Sequence, residues 1–393
     1  MAGERVRPVP LSGMTLDADD VRIARAALRR RDDWFDPAPV RAFESEFARW
    51  NGSRHAFAFL GGRVALSACV HALDLGPGDE VVLPGYTCVV VPNALKYAGV
   101  TPVYCDIELD TYGPDLASVE AAITPRTRAI LLHHLFGLVC RDYAALLELG
   151  RRRGLAIIED CAHATGAEFR GAKVGTAATV AFYSSEQTKV FSTIQGGVAV
   201  TNDPALAARM AEFQARSPDA APARLDALLR QVIIQHYSHK HPQGWLLGEV
   251  MEVVHGAPEL ISTSAEEVGG QRPADYGCRM PAPVARLASN QLGKIDRYNA
   301  RRRETALHWD AWCTSRGMAA ARVMPESKPV YLRYPVMLDP ALKADVSWAR
   351  REPGVELGLW FRGSLHPVEG ALPGLPNAAV AVASCANLPS LLN

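Results

Sequence analysis

The stretch Leu155 to Asn202 constrains the fold more than any other part of the chain. Ile157 and Ile158 end an apolar run that reads as a buried strand, and Glu159-Asp160 stands at its carboxyl end. A second apolar segment, Thr179 to Tyr183, leads into Ser184-Ser185-Glu186-Gln187-Thr188-Lys189. Gly196-Gly197 then opens a third β-like run, Val198 to Val200. Continuous apolar strands suit a parallel sheet covered on both faces, where ligands bind outside the carboxyl ends of the strands. The same alternation recurs upstream. Strands are expected at Ala56–Leu60, after the turn that opens Gly76–Pro84, and at Val100–Ile107 and Ala129–Leu135, and helices at Val40–Trp50, Val64–Leu73 and Asp142–Arg153. This βαβ pattern predicts an α/β fold with a mostly parallel central sheet.

An acid after one strand, a lysine after its neighbour and a Gly pair beyond suggest a pyridoxal phosphate (PLP) site. Lys189 would form the Schiff base, and Asp160 would keep the pyridine nitrogen protonated so that the ring acts as an electron sink. Taken singly, each residue has a plainer reading: a solvated lysine, and an aspartate that caps a helix. Gly61-Gly62-Arg63, entering a helix, would offer N–H groups and a positive dipole end to an anion.

The order of residues strengthens the case. Glu159, Asp160, Ala162, His163, Gly166, Ala167, Gly175, Ser184, Lys189, Gly196, Gly197 and Asn202 fall in sequence on a longer pattern. In these positions the chain resembles the DegT/StrS-type sugar aminotransferases, PLP enzymes of fold type I. The resemblance is specific over 43–202 and 275–298 and weaker elsewhere. It implies a three-layer PLP-transferase fold, with a smaller C-terminal α/β domain and active sites at a homodimer interface. It also implies that Gly62, Arg63, Val64 and Ser184 surround the cofactor phosphate, and that His163 lies near its phenolic oxygen.

Two positions depart from the family. Arg63 replaces a phosphate-binding Thr, and Gly277 replaces an Asn that reaches the neighbouring subunit's phosphate. Compensation between them is expected, with Arg63 making a bidentate phosphate contact. Where the family stacks an aromatic ring on the pyridine, the matching residue is Cys88; either Tyr86 supplies the ring or something smaller covers that face. His134, Glu186, Arg279, Trp360 and His366 are the candidate substrate contacts.

The resemblance implies transamination from an amino acid, glutamate in the family, to a keto-sugar, most often nucleotide-linked, in amino-sugar or natural-product biosynthesis. Lys189 would act as general base. Alternatives are a keto-cyclitol acceptor, another PLP reaction on the same scaffold, or a PLP-binding regulator without catalysis. A nucleotide-dependent α/β enzyme fits poorly, since G-x-G-x-x-G, G-x-x-x-x-G-K-S/T and G-x-S-x-G are all absent.

The 393 residues suffice for two unequal domains. We expect an N-terminal arm (1–34), a large PLP-binding domain (35–280), and a long linking helix after Met280, to about Gly317, with a small domain (281–393) that has a strand over Tyr331–Leu338. Residues 215–275 are expected to be an insertion beside the active-site mouth. Lys plus Arg and Asp plus Glu balance at 42 each, which argues against nucleic acid or an anionic membrane as partner. Eight scattered cysteines without C-x-x-C read as reduced thiols of a cytoplasmic protein. No signal peptide or membrane span is expected. His236, His239 and His241 lack an acid or Cys partner nearby, and no metal site is expected. The chain stops where the family usually continues with another helix, which implies an altered small domain.

Overall fold

A computed structural model describes residues 8–11, 15–240 and 263–392. Strand β1 (His55–Phe59) leads into the helix Gly62–Ala72. β2 (Glu80–Pro84) is followed by the short β3 (Thr87–Cys88). β4 (Thr101–Cys105), β5 (Thr127–His133) and β6 (Ala156–Asp160) alternate with the helices Val90–Tyr97, Leu116–Ala122 and Tyr143–Arg153. A small hairpin of β7 (Glu168–Phe169) and β8 (Ala172–Lys173) precedes β9 (Val180–Ser184) and β10 (Gly197–Thr201). Towards the C-terminus come β11 (Ser327–Lys328), β12 (Tyr334–Met337), β13 (Leu365–His366) and β14 (Cys385–Leu388).

Seven strands form one sheet in the order β1-β10-β9-β6-β5-β2-β4. Its β2, β4, β5, β6 and β9 pair in parallel, and β10 runs antiparallel between β1 and β9. Successive residues of a strand feed opposite cores, as a pleat of period two requires. Val82, Ile130, Leu132, Ile157, Ala181 and Val198 pack on one face with Phe43 and Phe47 of the helix Pro37–Asn51. Val81, Leu83, Leu131, Ile158, Phe182 and Ala199 pack on the other with Val64, Leu66 and Ala68 of the helix Gly62–Ala72. Both faces are thus covered, as the unbroken apolar runs anticipate. A further core joins Tyr86, Ile107 and Phe136 to Trp309, Val336, Phe361 and Leu388 of the C-terminal region.

Two expectations are corrected. The long helix expected after Met280 is two helices, Ala282–Leu292 and Ile295–Ser315. They break at Gly293-Lys294, where Gly is a weak helix former and Lys294 Nζ is drawn to Asp19 and Asp20 at 3.0 and 2.6 Å. The strand expected over Tyr331–Leu338 shrinks to β12, because Tyr331 adopts φ +48°, outside the extended region. Among the described residues of 215–275, Pro222–Lys240 is one helix and Ala265–Val268 is a short helix with a Ser264/Glu267 capping box. His236 Nδ1 donates to the Leu16 carbonyl at 3.1 Å, while His241 lies outside the described residues. Among the described residues no helix is long and apolar enough to cross a membrane.

Candidate active site

The carboxyl ends of β5, β6 and β9 set the site. Register places His133 opposite Asp160 and Asp160 opposite Phe182, so the acid sits between two strands at the sheet's ligand end. From β9 the chain passes Ser184 and Glu186 to Lys189. These residues line a cavity of about 540 Å³, together with Gly62 and Cys88. That size suits a small cofactor and its substrate.

Gly62 fits closely against β9: a Cβ there would lie 2.8 Å from Ser184 Cβ. At Gly197 a Cβ would lie 2.5 Å from the Gly61 carbonyl carbon. Only glycine lets the helix entrance and the strand end approach this way. The helix Gly62–Ala72 carries no side-chain cap, so its first N–H groups open into the cavity beside Ser184. The result is an anion cradle of backbone donors and one hydroxyl.

Lys189 Nζ lies 3.1 Å from His163 Nε2. The Phe136 N–H donates to His163 Nδ1 at 3.3 Å, so the neutral ring carries its proton on Nε2, towards Lys189. Burial, then the Lys189 charge, holds the imidazole pKa well below the usual range. Trp360 stacks on His163 with centroids 5.2 Å apart and 12° between planes. Lys189 Nζ is 5.2 Å from the same Trp360 centroid.

Burial pushes the Asp160 carboxyl up to about 6, against the Ala162 N–H bond and the charges of Lys189 and His134. The Ala162 N–H donates to Asp160 Oδ1 at 2.9 Å. A cation at this position would draw the carboxyl back to its ionised form. The donor set, the cradle and the acid together fit PLP.

Several expected residues take other places. Tyr86 does not line the cavity. It is fully buried, and its hydroxyl accepts from the Phe361 N–H at 3.0 Å and donates to the Trp360 carbonyl at 3.4 Å. It cannot be the stacking ring; it positions the Trp360-Phe361 segment instead. His134 borders the cavity, but both its ring nitrogens are engaged. Nε2 donates to Glu159 Oε1 at 2.8 Å, and Nδ1 accepts from the Cys140 N–H at 3.0 Å. Glu159 also accepts from the Tyr143 hydroxyl at 3.1 Å and the Gly175 N–H at 2.5 Å. His134 is therefore a structural residue rather than a substrate contact. The grouping of His134, Glu159 and Cys161 has metal-like spacing, but His134 and Glu159 satisfy each other.

Arg279 sits outside the cavity wall, its guanidinium bound to Asp219 at 2.6 and 2.7 Å. Arg63 does line the cavity, yet its Nη1 forms an ion pair with the buried Glu267. Gly277 lies beside Arg272 rather than making room for Arg63; it is the Tyr276 hydroxyl that donates to the Arg63 carbonyl, at 3.1 Å. Val64 and Glu186 also line the cavity. His366 stacks on Phe361 at 5.0 Å, and burial followed by the Lys189 charge pushes its pKa down to about 4. Sequence reasoning missed Glu267 and Arg333. Arg333 carries a signal, since it is a charge inside the apolar run Tyr331–Leu338.

A mostly parallel sheet, with a lysine after one inner strand and an acid ending the next, defines the fold type I transferases. The chain belongs to the DegT/DnrJ/EryC1/StrS aminotransferase family, whose model matches residues 16–392. It is 35% identical over 327 residues to L-glutamine:2-deoxy-scyllo-inosose aminotransferase of Streptomyces kanamyceticus, covering 81% of this chain and 66% of that protein. It is 42% identical over 177 residues to GDP-perosamine synthase of Caulobacter vibrioides, covering 45% of this chain and 47% of that one. These matches span about half to two-thirds of the relatives' own length. DesV of S. venezuelae, solved in complex with a ketimine intermediate, superposes with a TM-score of 0.73 at 26% identity, covering 98% of this chain and 93% of DesV.

Proposed function

We propose that this protein is a PLP-dependent aminotransferase that moves an amino group from an amino acid of the glutamate–glutamine class to a ketone on a sugar. The observation that carries this reading is the placement of Lys189 Nζ beside His163 in a cavity that also presents Asp160 and the Gly62–Ser184 cradle. A nucleotide-linked keto-sugar is the first acceptor class to test, as in the naming of the GDP-perosamine synthase relative. A keto-cyclitol is the second, because the relative aligned over 81% of this chain is named for an inosose.

When bound, PLP supplies an electron sink that lets the donor's α-carbon release its proton. The chain's residues do the rest. Lys189 Nζ would hold the cofactor and, when freed, would move the proton off the donor's α-carbon. Asp160 would hold the proton on the pyridine nitrogen. His163 would present Nε2–H to the phenolic oxygen. The N–H groups of Gly62, Arg63 and Val64 and the Ser184 hydroxyl would bind the phosphate. Over the full reaction the donor would leave as a 2-oxo acid and its amino group would replace the acceptor's carbonyl oxygen, with no net gain or loss of water. The family resemblance supports a homodimer, and eight free cysteines support a reducing, cytoplasmic setting.

The test is visible absorbance of the purified protein with PLP, then borohydride reduction and peptide mapping. A band trapped on Lys189 and bleached by the amino donor is expected. No band, or a label on another lysine, overturns the reading.

A further inference from the structure

Beyond the ends of β6 and β9 the sheet stops fixing distances. Their ladder closes with the Cys161 N–H donating to the Phe182 carbonyl at 2.9 Å. His163 and Lys189 both lie past that rung, on separate loops, yet Nε2 and Nζ meet at 3.1 Å. Trp360 steadies the imidazole from one side, with the Arg333 guanidinium carbon 4.6 Å from the same ring centroid. It makes no covalent or ladder link between the two loops.

A buried pair on the helix Ile295–Ser315 does bridge them. Asn299 and Arg302 are 2% and 1% exposed and stand three residues apart, on one face of the helix. Asn299 Nδ2 donates to the Thr165 carbonyl at 3.1 Å, two residues past His163. Arg302 Nη2 donates to the Val190 carbonyl at 2.7 Å, one residue past Lys189. Arg302 Nη1 donates to Asn299 Oδ1 at 3.0 Å and ties the two contacts together. Beside Thr165, Gly166 takes φ +90°, and a Cβ there would lie 2.7 Å from Asn299 Nδ2. The first loop is thus seated against the amide with no room for a side chain.

Arg302 is costly to keep in this place. Its hydrogen-bond partners are an amide and a carbonyl, both uncharged, and its Nε has none. Burial pushes its pKa down to about 9. An apolar side chain of similar volume would pack there at no loss of stability. What it could not do is hold two carbonyl-bearing loops through one planar fork of donors.

We propose that Asn299 and Arg302 are positioning residues for the transamination, a single hydrogen-bonded bracket that sets the spacing between the loop carrying His163 and the loop carrying Lys189. The inference rests on the aminotransferase reading above and extends it to two residues that do not line the cavity. Without the bracket the two loops part. His163 Nε2–H then drifts from the phenolic oxygen, and Lys189 from the α-carbon it must reach.

The experiment compares wild type with Asn299→Ala, Arg302→Met, Arg302→Lys and the double variant Asn299→Ala/Arg302→Met. Tyr298→Phe is the control: it lies on the same helix, but its hydroxyl donates to Asp17 Oδ2 at 2.7 Å, away from both loops. Three quantities are read: Tm without cofactor, the pH midpoint of the PLP band without substrate, and kcat beside KM. Arg302→Met and Asn299→Ala are expected to lower kcat about 100-fold with little change in KM, as a small misplacement of reacting groups does. The band midpoint is expected to rise by about one pH unit, because a donor to the phenolic oxygen is lost. The double variant is expected to be about as slow as the slower single one, since the pair acts as a unit. Arg302→Lys is expected to recover part of kcat, through the Val190 carbonyl alone. Tyr298→Phe is expected to lower Tm and leave midpoint and kcat unmoved. If Arg302→Met does not fold, Asn299→Ala decides, since it keeps the arginine and removes only the amide. A loss of Tm with midpoint and kcat unchanged, or an equal shift in Tyr298→Phe, overturns the inference and leaves the aminotransferase reading standing. No band in wild type overturns both.

Discussion

Lys189 Nζ and His163 Nε2 lie 3.1 Å apart, and the Trp360 ring stacks on the imidazole and flanks the lysine amine, which accepts from Nε2–H. The imidazole is held from three sides: Phe136 fixes its tautomer, Trp360 its plane, and Lys189 receives its free edge. His163→Ala removes the oriented Nε2–H and the surface Trp360 rests on. We expect kcat/KM about 100-fold lower, with the band still trapped on Lys189. Steady-state kinetics beside borohydride mapping checks this.

Asp160 gives a pH signature to the cofactor-free protein. In the folded protein its pKa, about 6, stands above the 3.8 of a free aspartate. The raised value favours folding when the carboxyl is protonated. That contribution is fully present below about pH 4 and is lost as pH rises through 6. Ionising the buried group costs about 3 kcal/mol. Cofactor-free Asp160→Asn is expected to melt several degrees above wild type at pH 7.5 and to converge with it near pH 4. Thermal melts across pH test this, and the variant should be inactive when loaded.

His134 tests structure against recognition. Its loss takes one of the donors from the buried Glu159 carboxylate, a change that costs about 1–3 kcal/mol. His134→Ala is expected to lower Tm sharply, while the folded fraction keeps its KM for the keto acceptor. A KM rise without a stability loss would restore the residue to the substrate side.

Glu267 places a carboxylate on Arg63, next to the phosphate cradle. A fixed negative charge there opposes a phosphate. Glu267→Gln is expected to tighten PLP binding about tenfold, read by titrating the cofactor-free protein and following absorbance. Weaker binding would instead mean that Glu267 orients Arg63 for the phosphate.

The sheet was legible because its strands are apolar without interruption, as burial on both faces demands. Asp160, Ser184 and Lys189 were legible because each follows such a strand at the sheet's ligand end. Tyr86 and His134 misled for a shared reason. Both sit at strand ends in sequence, but side-chain direction and long-range partners decide whether they face ligand or core. Tyr86 turns to Phe361 and His134 to Glu159, across 275 and 25 residues respectively. Glu267 and Arg333 were hidden because their significance lies in contacts with distant elements. Arg279 was carried by the motif around it, and its pairing with Asp219 depends on a segment with little pattern of its own.

β3 and β13 pair in parallel, Thr87 with Leu365 and Cys88 with His366. The Thr87 N–H donates to the Ser364 carbonyl and the Val89 N–H to the His366 carbonyl, at 2.9 and 2.8 Å. One wall of the cavity is thus stitched from opposite ends of the chain. During synthesis the cradle and Lys189 leave the ribosome long before residues 360–366 do, so the site stays open on that side until those residues emerge. Lys189 and its anion cradle therefore spend part of their existence as a nascent chain without the wall that later closes over them.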